Sequence, residues 1–185
     1  DAFLQRFKVA EVPGLPRFCG GLVGYFSYDT IRYVEPHLAA TVRPDPLKVP
    51  DVLLLLSTEL VVLDNLSGKL NLIVYADPRV PNSYAVAQAR LQQLRERLRL
   101  HATAASSRVS GPVEPKSEFG EQAFKDAVAR AKQYIFDGDI FQVVLSQRLS
   151  QAFPASPLSL FRALRTLNPS PYMFYYDFGD FHVVG

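Results

Sequence analysis

"DVLLLLSTELVVLDNLSGKLNLIVYADP", residues 51 to 78, decides the fold class. Two apolar runs are followed by Asn65, Ser67 and Gly68, which are turn formers, and then by a third run. In that third run Leu70, Leu72 and Val74 alternate with Asn71 and Ile73. Period-two patterning around a turn predicts an antiparallel β-meander or hairpin, buried at its first strand.

Upstream, "FCGGLVGYFSYDTIRYV", residues 18 to 34, sets Gly20, Gly21 and Gly24 among β-formers. Glycine inside a strand marks close approach by another backbone or a large side chain. A phosphate loop is rejected, because no Lys-Ser/Thr follows and the spacing is not a dinucleotide fingerprint. A Pro-rich connection from Pro36 to Pro50 leads to the meander. Downstream the period changes. Ala87, Leu91, Leu94 and Leu98 predict a helix over residues 83 to 100, with Arg90, Arg95, Arg97 and Arg99 largely off the apolar stripe. Such a basic face could bind nucleic acid or anionic lipid; it is read as a solvated surface with snorkelling arginines.

Residues 101 to 118, "HATAASSRVSGPVEPKSE", lose all periodicity and are read as a linker. Beyond it Phe124, Val128, Ala131 and Ile135 form a second helical stripe, with Gly120 as N-cap, Phe119 and Phe124 as a hydrophobic staple and Gly138 as a left-handed C-terminal cap. "DIFQVVLSQRLS" then alternates, Phe141, Val143 and Leu145 on one face and Gln142, Ser146 and Arg148 on the other, and predicts a strand. A third helix is predicted from about Pro157, after Ser156, to Leu167. A strand from Tyr172 to Phe178 follows, with Gly179-Asp180 as a two-residue hairpin turn that takes its glycine first.

The composition is that of a folded chain: 185 residues, 48% hydrophobic and 21% charged. A formal charge of +2 is too small for the dense basic patch that nucleic-acid binding needs, so no such partner is expected. No apolar run is long enough to span a bilayer and the first ten residues lack a signal-peptide core, so no membrane partner is expected and the chain is read as cytoplasmic. Cys19 is the single cysteine and reads as a core residue, not a nucleophile. His37, His101 and His182 are scattered, and no metal-ligand spacing stands out. Asp137 and Asp139, on either side of Gly138, could hold a cation but are read as solubilising a turn. Gln142, in an otherwise apolar strand, faces either partners in a core or polar cavity, or water on an edge strand; periodicity leaves both open.

"GDIFQVVLSQRLS" and "NPSPYMFYYDFGDFHVVG", with "RFCGGLVGYFSYDTIRYVE" and "AVARAKQYIFDGDIFQ", resemble the anthranilate synthase component I family of chorismate-utilising enzymes. The resemblance implies an α/β (α+β) fold, a two-layer sandwich of antiparallel sheets with flanking helices, here truncated. It implies residues 1–100 as part of an N-terminal domain, 101–118 as a linker and 119–185 as the beginning of a chorismate-binding domain. The implied reaction, the first step of tryptophan biosynthesis, adds ammonia to chorismate and eliminates pyruvate, with Mg²⁺ in the full-length parent and ammonia from a glutamine amidotransferase subunit. In relatives that activate water, a lysine holds the position of Gln142. A neutral amide cannot serve as that base, whereas ammonia needs none. Asn168, Pro169, Ser170, Pro171, Tyr172 and Met173 resemble one wall of the family's tryptophan feedback site; its other wall, Leu-Leu-Glu-Ser, does not occur.

The family's metal-binding glutamates, catalytic histidine and carboxylate-binding arginine lie after the hairpin. The chain is therefore expected to be an internal fragment, inactive alone, holding no complete catalytic set and no cofactor of its own. The alternatives are aminodeoxychorismate synthase component I, which aminates without elimination, and a non-catalytic module that binds tryptophan or the amidotransferase.

Overall fold

The computed structural model describes residues 2–10, 12–41, 44–101, 111 and 114–185. The chain divides into two compact units, Asp1–Thr103 and Ala104–Gly185.

In the first unit β1 (Gly21–Phe26) pairs antiparallel with β2 (Val52–Ser57), Gly21 opposite Ser57 and Phe26 opposite Val52. After Thr58 the chain enters β3 (Glu59–Asp64), which pairs with β4 (Lys69–Val74). One nearly continuous apolar run thus changes partner at Thr58, whose carbonyl accepts from the Tyr75 N–H at 2.9 Å. The turn residues expected between the strands form the hairpin loop. Asp64 accepts from the Ser67 hydroxyl and from the N–H groups of Leu66 and Ser67, which together hold its carboxyl below the ordinary value. Gly68 supplies the left-handed residue, φ 65°.

The expected burial of the first strand is corrected. Leu55 and Leu56 in β2 stay 44% and 42% exposed, since pairing with β1 satisfies the strand's backbone but does not cover its faces. The strand expected somewhere in 18–34 is confined to β1, with Tyr28–Tyr33 turning into a 3-10 helix.

Both kinds of close approach anticipated from the glycines occur. A Cβ on Gly24 would collide with the backbone of Leu53, and a Cβ on Gly20 would lie 2.6 Å from the Tyr75 ring. The Tyr75 hydroxyl donates to Cys19 Sγ at 3.6 Å; that bond, then desolvation, raises the phenol above its ordinary value. Gly20→Ala is expected to cost about 1–2 kcal/mol in urea unfolding. Since the obstacle is a side chain, the penalty should largely vanish in a Tyr75→Ala background; an additive double mutant would refute the assignment.

Between β4 and the next helix, Arg79 chelates Asp77 through Nε at 2.9 Å and a terminal nitrogen at 2.7 Å. Those hydrogen bonds, joined by one from the Arg79 N–H, hold the Asp77 carboxyl down to about 2. A group depressed in the folded state stabilises it above the unfolded value of about 3.9 and loses that contribution as pH falls toward 2. A carboxyl-detected NMR titration should find the Asp77 midpoint near 2, and Arg79→Gln should return it toward about 3.9.

Helix α1 (Ser83–Arg99) lies against β4 and buries Ala87. Its arginines form a solvated face tied locally: Arg90 Nε donates to both Glu59 oxygens at 2.9 Å, and Arg99 reaches Glu96.

In the second unit β5 (Lys116–Ser117) precedes α2 (Glu121–Phe136), and β5 pairs with β6 (Leu149–Ser150). Then come α3 (Pro157–Leu167), β7 (Tyr175–Asp177) and β8 (His182–Val184), with β7 and β8 antiparallel. The expected caps are present. The Phe119 and Phe124 rings meet edge to face at 5.6 Å. At the other end of α2, Asp139 N–H reaches the Tyr134 carbonyl and Gly138 N–H the Ile135 carbonyl, the paired bonds of a Schellman turn, with Gly138 at φ 83°. Ser156 caps α3 by accepting from the Ser159 N–H, and Pro157 is its first residue. The Gly179-Asp180 turn closes β7 and β8 with a positive φ at the glycine.

Three expectations are corrected. The aperiodic stretch does not run to residue 118: 102–110 and 112–113 lie outside the described residues, but Lys116–Ser117 is a ladder strand held by the pairing of Ser117 with Leu149. The last strand begins at Tyr175 and not Tyr172, because Pro171 and Tyr172 form a turn. The strand expected from Phe141 is hydrogen-bonded, among the described residues, only over Arg148–Ser150, because no described backbone group pairs with 141–147.

The result is a mixed helix and strand fold with small antiparallel sheets, as expected, although the described residues show four two-stranded ladders and no closed sandwich. Among them only Ala87 and Ala155 are buried apolar residues. Large apolar side chains stand open within each unit, among them Phe26 at 67% and Phe136 at 85% exposure.

Candidate functional site

The candidate residues lie at two places in the second unit. Gln142 follows α2. The Schellman turn ends the helix, and Asp137 accepts from Gln133 Nε2 at 2.7 Å, which favours the turn reading of the Asp137-Gly138-Asp139 sequence over a cation site. Beyond the turn Phe141 is 94% exposed and Gln142 is exposed beside it.

The far end of the same segment is fastened. Arg148 pairs with Glu118 at 2.9 Å and its carbonyl accepts from the Glu118 N–H at 3.1 Å, while Ser117 Oγ donates to Gln147 Oε1 at 3.1 Å. Sequence reading missed Glu118 and Ser117 because it assigned them to the linker. The signal was there in the opposite charges of Glu118 and Arg148, but which pair meets depends on strand register.

Asn168, Pro169, Ser170, Pro171, Tyr172 and Met173 connect α3 to β7. The Asn168 N–H still reaches the Leu164 carbonyl at 2.8 Å, so the segment starts as the helix cap. The two prolines restrict φ, and Ser170 Oγ accepts from the Tyr172 N–H at 3.3 Å to shape the turn. Tyr172 projects its ring into solvent, 86% exposed, and Met173 is half-buried. Phe174 then exchanges two backbone hydrogen bonds with Gly185, at 2.8 and 3.1 Å, anchoring the turn to the hairpin. On one face of that hairpin Tyr175 packs on Phe161 of α3, and His182 pairs with Asp177 across the ladder at 3.3 Å. An aromatic ring and a thioether held in a proline-stiffened turn offer a flat, polarizable surface to a planar ligand.

Mg²⁺ requires several converging oxygen ligands. Among the described residues no three His, Cys, Asp or Glu side chains converge, so these residues do not make a Mg²⁺ site and no step below is routed through one. No described helix is long and apolar enough to cross a membrane.

The model of the chorismate binding enzyme family matches residues 1–185. Anthranilate synthase component 1 of Neisseria meningitidis serogroup B (strain MC58) is 57% identical over 188 residues, which cover 100% of this chain and 38% of that protein. The protein of the same name from Pseudomonas aeruginosa is 51% identical over 195 residues, covering 100% of this chain and 39% of the relative. The crystal structure of anthranilate synthase component I from Streptococcus pneumoniae TIGR4 superposes with a TM-score of 0.83 at 31% identity, over 100% of this chain and 42% of that one. The chain thus spans about two fifths of the length of the relatives it matches. With a family model matched from end to end and the same architecture in a solved relative, the chain belongs to the chorismate binding enzyme family.

Proposed function

We propose that this chain is part of an anthranilate synthase component I polypeptide, which adds ammonia to chorismate and eliminates pyruvate and water to give anthranilate. The observation that carries this reading is 57% identity, across the whole chain, to a relative named for that activity. Gln142 agrees with it. Its amide is neutral and cannot take a proton from water, whereas ammonia arrives with a free electron pair.

The chain alone is proposed to be inactive, since the described residues contain no converging cluster of acids, bases or metal ligands. Within the full-length polypeptide, Mg²⁺ and an amidotransferase subunit that delivers ammonia are the proposed cofactor and partner, in the cytoplasm. The turn from Asn168 to Met173 is proposed as one wall of a tryptophan feedback site. Its support is the exposed Tyr172 ring and the neighbouring Met173 thioether.

The test joins this chain to the unmatched residues of the N. meningitidis relative and follows product formation from chorismate and ammonia. Anthranilate and pyruvate are expected in equal amounts from the joined polypeptide and neither from the 185-residue chain. An aminated product that keeps its enolpyruvyl group would reassign the chain to the aminodeoxychorismate branch.

A further inference from the structure

The fastening of the chain nearest to Gln142 lies upstream. Among the described residues no backbone hydrogen bond runs to or from 141–147. Downstream, the first tie is the bond from Ser117 Oγ to Gln147 Oε1, followed by the Arg148–Glu118 pair. Upstream, the Tyr134 carbonyl accepts from both the Asp139 N–H at 3.0 Å and the Ile140 N–H at 3.4 Å, so the chain is still bonded just before Phe141 and Gln142. The direction in which it departs toward Gln142 is therefore set at the end of α2 and not at β6.

That end turns on one residue. Asp137 is still right-handed, at φ −74° and ψ −10°, and its side chain accepts from Gln133 Nε2 at 2.7 Å. Gly138 then takes φ 83°, with its N–H on the Ile135 carbonyl at 3.2 Å. A right-handed residue at 138 would carry the helix on through Asp139 and Ile140, and an extended one would open both bonds to Tyr134; either redirects the chain that carries Gln142. Space does not select glycine here, because a Cβ added at Gly138 would meet nothing within 4 Å. The requirement is conformational. Asparagine visits the left-handed region more readily than other side chains and meets it, whereas a β-branched residue is a genuine outlier there.

We infer that Gly138 is a positioning residue for the amination: its left-handed conformation sets where the Gln142 amide stands relative to the incoming ammonia. The inference rests on the proposed reading of the chain as part of an anthranilate synthase component I. An amide in the right place accepts a hydrogen bond from ammonia through its carbonyl oxygen and holds the nucleophile for attack. A displaced amide leaves chorismate binding intact and loses that hold on ammonia. Misplacement by about 1 Å is enough to cost on the order of 100-fold in rate.

The test uses the chain joined to the unmatched residues of the N. meningitidis relative, assayed with ammonia well below the Tm of every variant. Gly138→Val is expected to lower kcat/KM for ammonia by about 30- to 100-fold and Gly138→Ala by about 3- to 10-fold, with KM for chorismate unchanged. Gly138→Asn should keep kcat/KM for ammonia within about twofold of the parent, since it adds a side chain and retains the conformation. Ser156→Ala removes the cap of α3 and controls for lost stability: it should lower Tm about as much as Gly138→Ala and leave the ammonia kinetics unchanged. Equal ammonia kinetics for Gly138→Ala and Ser156→Ala would overturn the inference, as would a Gly138→Asn variant no better than Gly138→Ala; in both cases anthranilate made by the unsubstituted joined polypeptide leaves the functional reading standing. Should Gly138→Val fail to fold, the alanine and asparagine variants decide. A joined polypeptide that makes no anthranilate before any substitution overturns the functional reading and this inference with it.

Discussion

Gly24→Ala is expected to dismantle the β1–β2 ladder. Gly24 lies opposite Leu54 in the middle of that pair. An added Cβ would collide with the carbonyl oxygen of Leu53 and come within 2.9 Å of its carbonyl carbon and 3.0 Å of Leu54 Cα. All three are backbone atoms of the facing strand. No rotamer change can clear them, so the strands must separate or slip, and a one-residue slip inverts every side chain. The expected cost is on the order of 3–5 kcal/mol, well above a typical point mutation and a large share of a small domain's stability. Amide exchange across Gly21–Phe26 and Val52–Ser57 should lose its protection, while α2 and α3 in the other unit keep theirs. In contrast with Gly20→Ala, no side-chain truncation should rescue it. Retained protection across β1 and β2 would show that the close approach is misplaced.

Gln142→Lys is the second large effect, read in the polypeptide joined to full component I length. Under the proposed function the amide is tolerated because ammonia needs no base, and a lysine there, in its neutral amine form, would supply the base that water needs. Anthranilate formation should fall by about 100-fold, the lower range of what a positioned acid or base contributes. Chorismate consumption should become less dependent on ammonia, with a hydroxylated product in place of the aminated one. Gln142→Leu is the control: it removes the amide without adding a base, so it should not open the water reaction. If Gln142→Lys left both the rate and the ammonia dependence unchanged, Gln142 would have no part in choosing the nucleophile.

Most of the local structure was legible in the residues. The Phe119–Phe124 staple, the Gly138 turn, the Ser156-Pro157 helix start and the Gly179-Asp180 hairpin are each decided by side chains within about five positions of one another. The glycines of the first strand announced close approaches, although not that a backbone met Gly24 while an aromatic ring met Gly20. The segment after Gly138 was misread in extent. Alternation shows that a stretch is suited to a sheet, but hydrogen bonding depends on a second strand, and among the described residues only Leu149–Ser150 finds one.

The candidate site was legible as residue types and not as geometry. Gln142 and the Asn168–Met173 turn could be singled out from sequence, yet the exposure of Gln142 and Tyr172 could not. Nor could the fastening of Arg148 to Glu118, which brings together residues thirty positions apart. By itself the sequence determined the helices, their caps, the hairpin turns and the family, because these follow from short-range sterics, hydrogen bonding and long matched strings. Only the tertiary structure decided which strands pair, where the long apolar run changes partner at Thr58, and which apolar faces stand uncovered. Those depend on register and on the presence of a partner surface, and no stretch of chain carries that information alone.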